Sequence, residues 1–302
     1  MLKTESLGNG TGVCGMRGVI VGGATFLGYW IKKRILDSGL SQPIIVDLPR
    51  TNIGVYVSSR DIFYRLQEID YHAIEEYRPS YILFNYFDLF DMNSLEISQA
   101  DNNVLMAATN KLLDIAQKQN CCIYVLTHID RYTTSNDPYR TTFNSLNGLY
   151  LQYIELVSKA RSLRTKIILL PNVFGPRESK QGVIPTIVGK VRNGEKLILA
   201  DTTRDFLFVE SVIAQAFDTL FDSGSQKYNQ AVYYAYTSGK QTPLSKMYET
   251  VTRVLGKSTE IRFVEEPYKL IRAEIESSKI ANVVLEQDYA KLIKHYVDHP
   301  VI

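Results

Sequence analysis

Gly18-Val19-Ile20-Val21-Gly22-Gly23-Ala24-Thr25-Phe26-Leu27-Gly28 is the stretch that decides the fold of this 302-residue chain. Its first four residues form a short apolar run, which is typical of a strand buried on both faces. The glycines predict a tight turn, after which apolar residues recur at helical spacing until Gly39 ends the helix. Because Ile44–Asp47 is predicted as the next strand, the segment forms a β-α-β unit.

The same alternation of strands and helices continues along the chain. It indicates a parallel sheet with helices on both faces, so the predicted fold class is α/β, a Rossmann-type doubly wound parallel sheet. After about Pro171 the elements become shorter and are interrupted more often, which indicates a smaller C-terminal lobe. The predicted elements are strands at 81–84, 123–126, 165–170 and 232–236 and helices at 103–117, 146–162, 210–221 and 244–255.

The composition argues against several classes of partner. The chain has 34 basic and 32 acidic residues, and a net charge of +2 gives no electrostatic basis for binding nucleic acid or an anionic membrane. Cys14, Cys121 and Cys122 form neither a disulfide framework nor a zinc pattern, so no metal is predicted. We find no signal segment and no membrane-spanning run. Together with the cysteine usage, this makes a cytoplasmic location the expectation.

The glycine-rich turn has a physical use at the start of a helix. The backbone there can approach a diphosphate closely, and the helix N-terminus offers free N–H groups and the positive end of the helix dipole. Gly22 permits the turn and Gly28 lets the helix pack against the sheet. Thr25 stands where the usual spacing has a second glycine, and its branched side chain narrows the approach, although its hydroxyl can itself bond a phosphate.

Asp47 completes this pattern at the end of the second strand. A carboxylate there can accept hydrogen bonds from the ribose hydroxyls of NAD and would repel the extra phosphate of NADP, a preference that Arg50 weakens slightly. NAD is therefore the predicted cofactor and NADP is less favoured; the alternative is a tight turn that binds nothing. The predicted cofactor contacts in this region are Gly22, Ala24, Thr25, Phe26, Leu27, Gly28 and Asp47.

From Gly18 to about Tyr296 the chain resembles the NAD-dependent epimerase/dehydratase family, the extended branch of the short-chain dehydrogenases. Beyond the opening turn, several segments carry the resemblance in the family's order. They are Glu68-Ile69-Asp70, Asn172-Val173-Phe174-Gly175-Pro176-Arg177, Gly182-Val183-Ile184-Pro185, Arg204-Asp205-Phe206 and Glu276-Ser277-Ser278-Lys279-Ile280.

The resemblance implies a second ligand besides the cofactor. Glu68 and Ile69 would lie near the adenine, and the later segments would meet the nucleotide diphosphate of a sugar donor. An arginine fork bonds phosphate oxygens bidentately, which suits Arg204, although an ion pair with Asp205 or Glu210 is the alternative. The residues implied to bind the nucleotide diphosphate sugar are Asn172, Arg177, Val183 and Arg204.

The catalytic pair that the resemblance leads us to expect is missing. In the family a tyrosine acts as acid and base during hydride transfer, and a lysine four residues later lowers its pKa. If Glu155 matches the family's glutamate, Asn147 and Leu151 stand at those two positions, and no other register of the helix at 146–162 supplies the lysine. Those other registers pair Tyr150 with Ile154 and Tyr153 with Val157.

The ends of two strands also depart from the family's pattern. Thr127 and His128 stand where a serine-rich stretch is usual, and the run Asn85-Tyr86-Phe87-Asp88 replaces small apolar residues that leave room for the nicotinamide. Histidine can transfer protons near pH 7 without a lysine, so His128 is a candidate acid or base, with a satisfied polar residue as the alternative. The candidate catalytic residues are His128, Thr127 and Tyr150, and Asp130 is a weaker ligand contact.

Two functions from different classes follow from these residues. One is a nucleotide-sugar epimerase/dehydratase-like protein that binds a dinucleotide, with non-standard or lost hydride chemistry. The other is an inactive member that serves as a binding, regulatory or scaffold subunit, as a homodimer or paired with an active relative; whether the chain is an enzyme stays open. The predicted division is a flexible segment at 1–16, a Rossmann domain at 17–170 and a substrate-binding lobe at 171–302, with segments exchanged between lobes.

Overall fold

The computed structural model describes residues 15–48, 56–89, 99–129, 146–178, 182–222, 231–265 and 280–299. Arg50, Asp130 and residues 276–279, which the sequence singled out, lie outside these ranges, as does most of the predicted N-terminal segment. Within the described residues, no helix combines the length and the apolar character needed to cross a bilayer.

The predicted β-α-β unit is confirmed. β1 (Gly18–Val21) and β2 (Ile44–Asp47) are buried along their whole length because helices cover both faces of the sheet. Between them, α1 (Phe26–Asp37) begins after Thr25 and ends at Ser38, whose backbone N–H bonds carbonyls of the last turn. Gly39 follows with a φ of 72°, a left-handed conformation that favours glycine.

The remaining predicted strands and helices are also present, with boundaries shifted by a few residues. The main sheet adds β3 (Phe63–Arg65), β4 (Tyr81–Asn85), β5 (Cys122–His128), β6 (Arg164–Leu170), β11 (Ala231–Thr237) and β14 (Ile280–Val284). The shorter strands are β7 (Asn172–Phe174), β8 (Leu197–Ala200), β9 (Thr203–Arg204), β10 (Phe206–Phe208), β12 (Thr242–Pro243) and β13 (Ile261–Val264). The helices after α1 are α2 (Tyr71–Tyr77), α3 (Tyr86–Leu89), α4 (Gln99–Gln119), α5 (Leu146–Ala160), α6 (Val183–Asn193), α7 (Val209–Phe221), α8 (Leu244–Leu255) and α9 (Tyr289–Asp298).

In the described part of the chain, the main sheet has eight strands in the order β14-β11-β6-β5-β4-β1-β2-β3, and its neighbouring strands pair in parallel. This is the predicted Rossmann-type α/β sheet. The strand order reverses at β1, which lies between β2 and β4. In such sheets the crevice at the carboxyl ends of the strands beside this reversal is where ligands bind.

Three hydrophobic clusters hold these layers together. One cluster packs α2, α4 and α5 on one face of the sheet, and a second packs α1 and α7 on the other. A third cluster unites α6, α8 and α9 with the short strands of the C-terminal part. β11 and β14 come from that part of the chain yet belong to the main sheet. The predicted lobe boundary at residue 170 therefore divides strands of one sheet, and the division into lobes stays a prediction.

Candidate functional site

The glycine-rich turn follows β1 at the carboxyl edge of the sheet. Gly22 has a φ of 77°, which favours glycine. A Cβ at Gly28 would lie 2.4 Å from the carbonyl oxygen of Gly22 and 2.7 Å from the backbone of Gly23. Glycine at position 28 therefore lets α1 start directly against the turn.

Thr25 caps the first turn of α1, and its hydroxyl is engaged within the protein. The Oγ atom lies 2.6 Å from the Gly22 carbonyl oxygen and 2.7 Å from a carboxylate oxygen of Asp88. It also accepts a hydrogen bond from the Gly28 N–H at 3.3 Å and one from the Asn85 side-chain amide at 2.9 Å. A phosphate could use this hydroxyl only if those contacts rearranged.

Asp88 lies at the position that the fold gives to a diphosphate. The same Asp88 oxygen accepts a hydrogen bond from the Leu27 backbone N–H at 2.6 Å and one from Asn85 Nδ2 at 2.9 Å. Leu27 belongs to the first turn of α1, where free N–H groups and the helix dipole attract an anion. Because the chain's own carboxylate already holds this N–H group, the residues as arranged do not fit a dinucleotide diphosphate.

Asp47 braces the turn from the other side. Its side chain is fully buried, and one carboxylate oxygen accepts from the Ala24 backbone N–H at 2.8 Å while the other accepts from that of Leu48 at 2.8 Å. Asp47 could contact a ribose only if its carboxylate left these two N–H groups and became accessible. Of the two residues expected near an adenine, Glu68 is exposed and Ile69 is half-buried against the core.

Large rings fill the space beside the ends of β4 and β5. Tyr86 is fully buried, and its hydroxyl pairs with Thr109 Oγ1 at 3.2 Å. The Phe87 ring stacks on the imidazole of His128, with centroids 5.2 Å apart and an interplanar angle of 22°. Thr127 is buried and His128 is half-buried, so of these two candidates only His128 can meet solvent without a rearrangement.

The two candidate tyrosines of α5 both face α4. The Tyr150 hydroxyl donates to the backbone and side-chain oxygens of Asn102, each at 2.9 Å, and Tyr153 donates to Asn110 Oδ1 at 3.0 Å. Burial raises the pKa of Tyr150, the opposite of what an acid/base tyrosine needs. The positions four residues later hold apolar residues, of which Ile154 is fully buried.

The residues implied to bind a nucleotide sugar lie around the short strands after β6. Asn172 begins β7, and its amide donates to the Asp205 carbonyl at 3.2 Å, so it supports the pairing of β7 with β10. Arg204 in β9 donates to Thr202 Oγ1 at 2.8 Å and to the Thr203 carbonyl at 3.2 Å. The Asp205 carboxylate bonds Thr237 and Ser238, and Val183 begins α6.

Arg177 joins this region to α1. Its guanidinium lies 4.4 Å from the Tyr29 ring centroid, and its carbonyl accepts from the Tyr56 hydroxyl at 2.8 Å. Burial and then the charge of Asp88 raise the pKa of Tyr56 to about 12. Sequence reasoning missed the roles of Tyr29, Tyr56 and Asp88, which become visible only when the turn and the later loop come together.

A literal Tyr-x-x-x-Lys motif, formed by Tyr236 and Lys240, is not a catalytic pair. Tyr236 lies in strand β11, is fully buried and shares a hydrogen bond with Thr219 Oγ1 at 2.6 Å. Tyrosine and lysine at this spacing share a face only on a helix. The strand conformation of Tyr236 therefore argues against a catalytic role for this pair.

The fold and the glycine-rich turn define a Rossmann-type α/β protein. More specifically, the chain belongs to the NAD-dependent epimerase/dehydratase family, whose model matches residues 19–233. The family resemblance noted in the sequence is thereby confirmed. Comparison with curated protein sequences gives no significant match.

Solved structures support the fold at low sequence identity. UDP-glucose 4-epimerase of Thermus thermophilus, solved with NAD, is 18% identical with a TM-score of 0.70, covering 94% of this chain and 98% of its own. UDP-N-acetylglucosamine 4-epimerase of Methanobrevibacter ruminantium, solved with UDP-N-acetylmuramic acid, has the same identity, TM-score and coverage. WbmG of Bordetella bronchiseptica, solved with NAD and UDP, is 17% identical with a TM-score of 0.68, covering 94% of each chain.

Proposed function

We propose that this protein binds a nucleotide diphosphate sugar without carrying out the Tyr–Lys hydride transfer of its family, and that it acts as a binding or regulatory subunit. The arrangement of α5 carries the proposal. The Tyr150 hydroxyl donates a hydrogen bond to Asn102 and burial raises its pKa, while the buried Ile154 stands where a lysine would lower that pKa. A phenol in this setting is a poor base near neutral pH.

The proposed ligand site lies around Asn172, Arg177, Val183 and Arg204. Arg177 and Arg204 are partly exposed. The Arg177 guanidinium lies over the Tyr29 ring and the Arg204 guanidinium donates to Thr202 Oγ1. A guanidinium group can bond phosphate oxygens bidentately, so these two cations are the proposed diphosphate contacts. Two structural neighbours support a nucleotide sugar as the ligand class. The epimerase from Thermotoga maritima was solved with UDP-glucose, and WbmG was solved with UDP.

A panel of nucleotide diphosphate sugars, each with NAD present, tests this proposal. We expect at least one nucleotide sugar to raise the melting temperature, because a ligand that binds only the folded state stabilises it. We also expect neither reduced-nicotinamide absorbance nor an epimerised sugar, since lost acid/base help alone costs about 10²–10⁴ in rate. An active UDP-glucose 4-epimerase serves as the control, and turnover comparable to its rate would contradict the proposal.

His128 supports the second candidate, an enzyme with altered chemistry. The imidazole is half-buried at the carboxyl end of β5, beside the crevice of the sheet. If turnover is found, the protein is an enzyme, and the variants His128→Ala and His128→Gln test whether His128 transfers the proton. Loss of turnover in both variants, with melting temperatures unchanged, would support that role; retained turnover would exclude His128 as the acid or base.

The proposed oligomer is a homodimer, or a pair with an active relative, formed through α5. Leu156 is 69% exposed and Leu149 is 38% exposed, and their seven-residue spacing places them on one face of α5. We expect Leu156→Glu to shift the mass measured by light scattering from dimer to monomer, because a buried unpaired charge opposes association. Leu36→Glu, at a 41% exposed position on α1, is the matched control. A monomeric wild-type protein would contradict the dimer.

A further inference from the structure

We infer that the Asp88 carboxylate is an internal stand-in for the diphosphate at the start of α1, so that a dinucleotide binds only after this carboxylate is displaced. The inference rests on the proposed function, since it concerns the cofactor position of the same family fold. Displacement of Asp88 would then control whether a dinucleotide can enter its position at the start of α1.

The first support is the number and type of donors around one oxygen atom. Asp88 Oδ2 lies within hydrogen-bond distance of the Leu27 N–H, the Thr25 hydroxyl and the Asn85 amide, at 2.6, 2.7 and 2.9 Å. Backbone N–H groups at a helix N-terminus, a hydroxyl and an amide are the donors that typically surround a phosphate oxygen. An anion of the chain itself therefore has the surroundings expected for a ligand anion.

A second and independent observation comes from Asn85. This side chain is fully buried, and its Oδ1 atom has no hydrogen-bond partner among the described residues. Its Nδ2 atom contacts Asp88, Thr25 and the Gly22 carbonyl, so the amide group that carries the unpaired oxygen belongs to the same cluster. A buried polar atom without a partner is costly, and it indicates that a donor is missing from this position. A ribose or phosphate-linked hydroxyl of a bound ligand would supply one.

The third support is that Asp88 can leave without unfolding its helix. Tyr86 and Leu89 anchor α3, since both are buried and the Leu89 side chain packs against Gly22. Asp88 lies between them in sequence and is half-buried, so a change of its rotamer alone would release the Leu27 N–H. The backbone of α3 and the Phe87–His128 stack need not move in that exchange.

The arrangement has a clear electrostatic consequence. A carboxylate at a helix N-terminus satisfies the free N–H group and the dipole, so an incoming diphosphate must replace that interaction and also meets a like charge. Removal of Asp88 should therefore tighten dinucleotide binding. NAD is the suitable probe, because the family to which the chain belongs is NAD-dependent.

Calorimetric titration of NAD into the wild-type protein, Asp88→Ala and Asp88→Asn tests the inference. We expect Asp88→Ala to bind NAD roughly tenfold or more tightly than the wild type, and Asp88→Asn to fall between them because it keeps an acceptor without the charge. Asp37→Ala removes one carboxylate from the other end of α1 and should bind like the wild type. Circular dichroism establishes that each variant is folded.

Inorganic pyrophosphate provides a second readout that needs no space for a nicotinamide. It should raise the melting temperature of Asp88→Ala and leave that of the wild type unchanged. Equal NAD affinity of the wild type and folded Asp88→Ala, or no binding by either, would overturn the inference. The proposed function fails separately, if no nucleotide sugar stabilises either protein.

Discussion

Replacing Gly28 with alanine is expected to lower the free energy of unfolding by about 3 kcal/mol or more. The added Cβ would meet the Gly22 carbonyl oxygen at 2.4 Å and the Gly23 backbone at 2.7 Å. Both neighbours are backbone atoms in a buried turn, so they cannot yield as the end of a flexible side chain would. To relieve this clash, α1 must move away from β1, and this movement also separates the Leu27 N–H from Asp88.

Urea unfolding of Gly28→Ala and Gly189→Ala measures this effect with a matched control. Gly189 lies inside α6, and a Cβ there meets no atom within 4 Å. Alanine at that position should stabilise the protein by up to about 1 kcal/mol, because alanine is the better helix former. Equal stabilities of the two variants would mean that α1 does not start against the turn as described.

Raising the pH above about 10 is expected to unfold the protein steeply. Of the residues that the structure describes, five tyrosines are 3% exposed or less and have a pKa raised by burial, among them Tyr236, whose pKa is raised to about 12. A pKa raised in the folded state gives stability that is fully present below the unfolded pKa of about 10 and is lost as the pH rises towards the folded value. The five residues are Tyr81, Tyr86, Tyr124, Tyr150 and Tyr236.

The size of this loss decides the outcome. For every pH unit above the unfolded pKa, each such tyrosine lowers the free energy of unfolding by about 1.4 kcal/mol. The free energy of unfolding of a typical domain is only about 5–15 kcal/mol. Urea unfolding at several values between about pH 8 and pH 11 should therefore show a steep fall, together with the appearance of tyrosinate absorbance. A constant free energy of unfolding across this range would show that these hydroxyls have the same pKa in the folded and the unfolded protein.

Tyr81→Phe is the informative variant for the alkaline experiment. The Tyr81 hydroxyl is buried and has no hydrogen-bond partner among the described residues, so its removal should cost little near neutral pH. Above the unfolded pKa, the free energy of unfolding of Tyr81→Phe should fall less steeply with pH than that of the wild type, by the contribution of one of the five tyrosines.

The fold was largely predictable from local pattern. β1 and β2 are short runs buried on both faces, and α4 and α5 show helical spacing, so their identity does not depend on distant contacts. The absence of a Tyr–Lys pair was also visible, because a helix fixes which residues lie four positions apart. The short strands β7 to β10 were not predicted, since they pair only within the folded C-terminal part.

The role of Asp88 could not be read from local sequence. Asp88 follows Leu27 by 61 positions, and the two meet because β4 pairs with β1 in the sheet. The bulky run after β4 was recognised as an obstacle to the nicotinamide, but its carboxylate was not placed at the diphosphate position. The strand order of a doubly wound sheet puts the residues after β4 beside the turn after β1, and that rule was the available clue.

The most direct measurement is a crystal structure of Asp88→Ala grown with saturating NAD. We predict that a diphosphate oxygen accepts a hydrogen bond from the Leu27 N–H, in the place that the Asp88 carboxylate takes in the wild-type protein. A dinucleotide bound elsewhere, or no dinucleotide at all, would contradict this prediction.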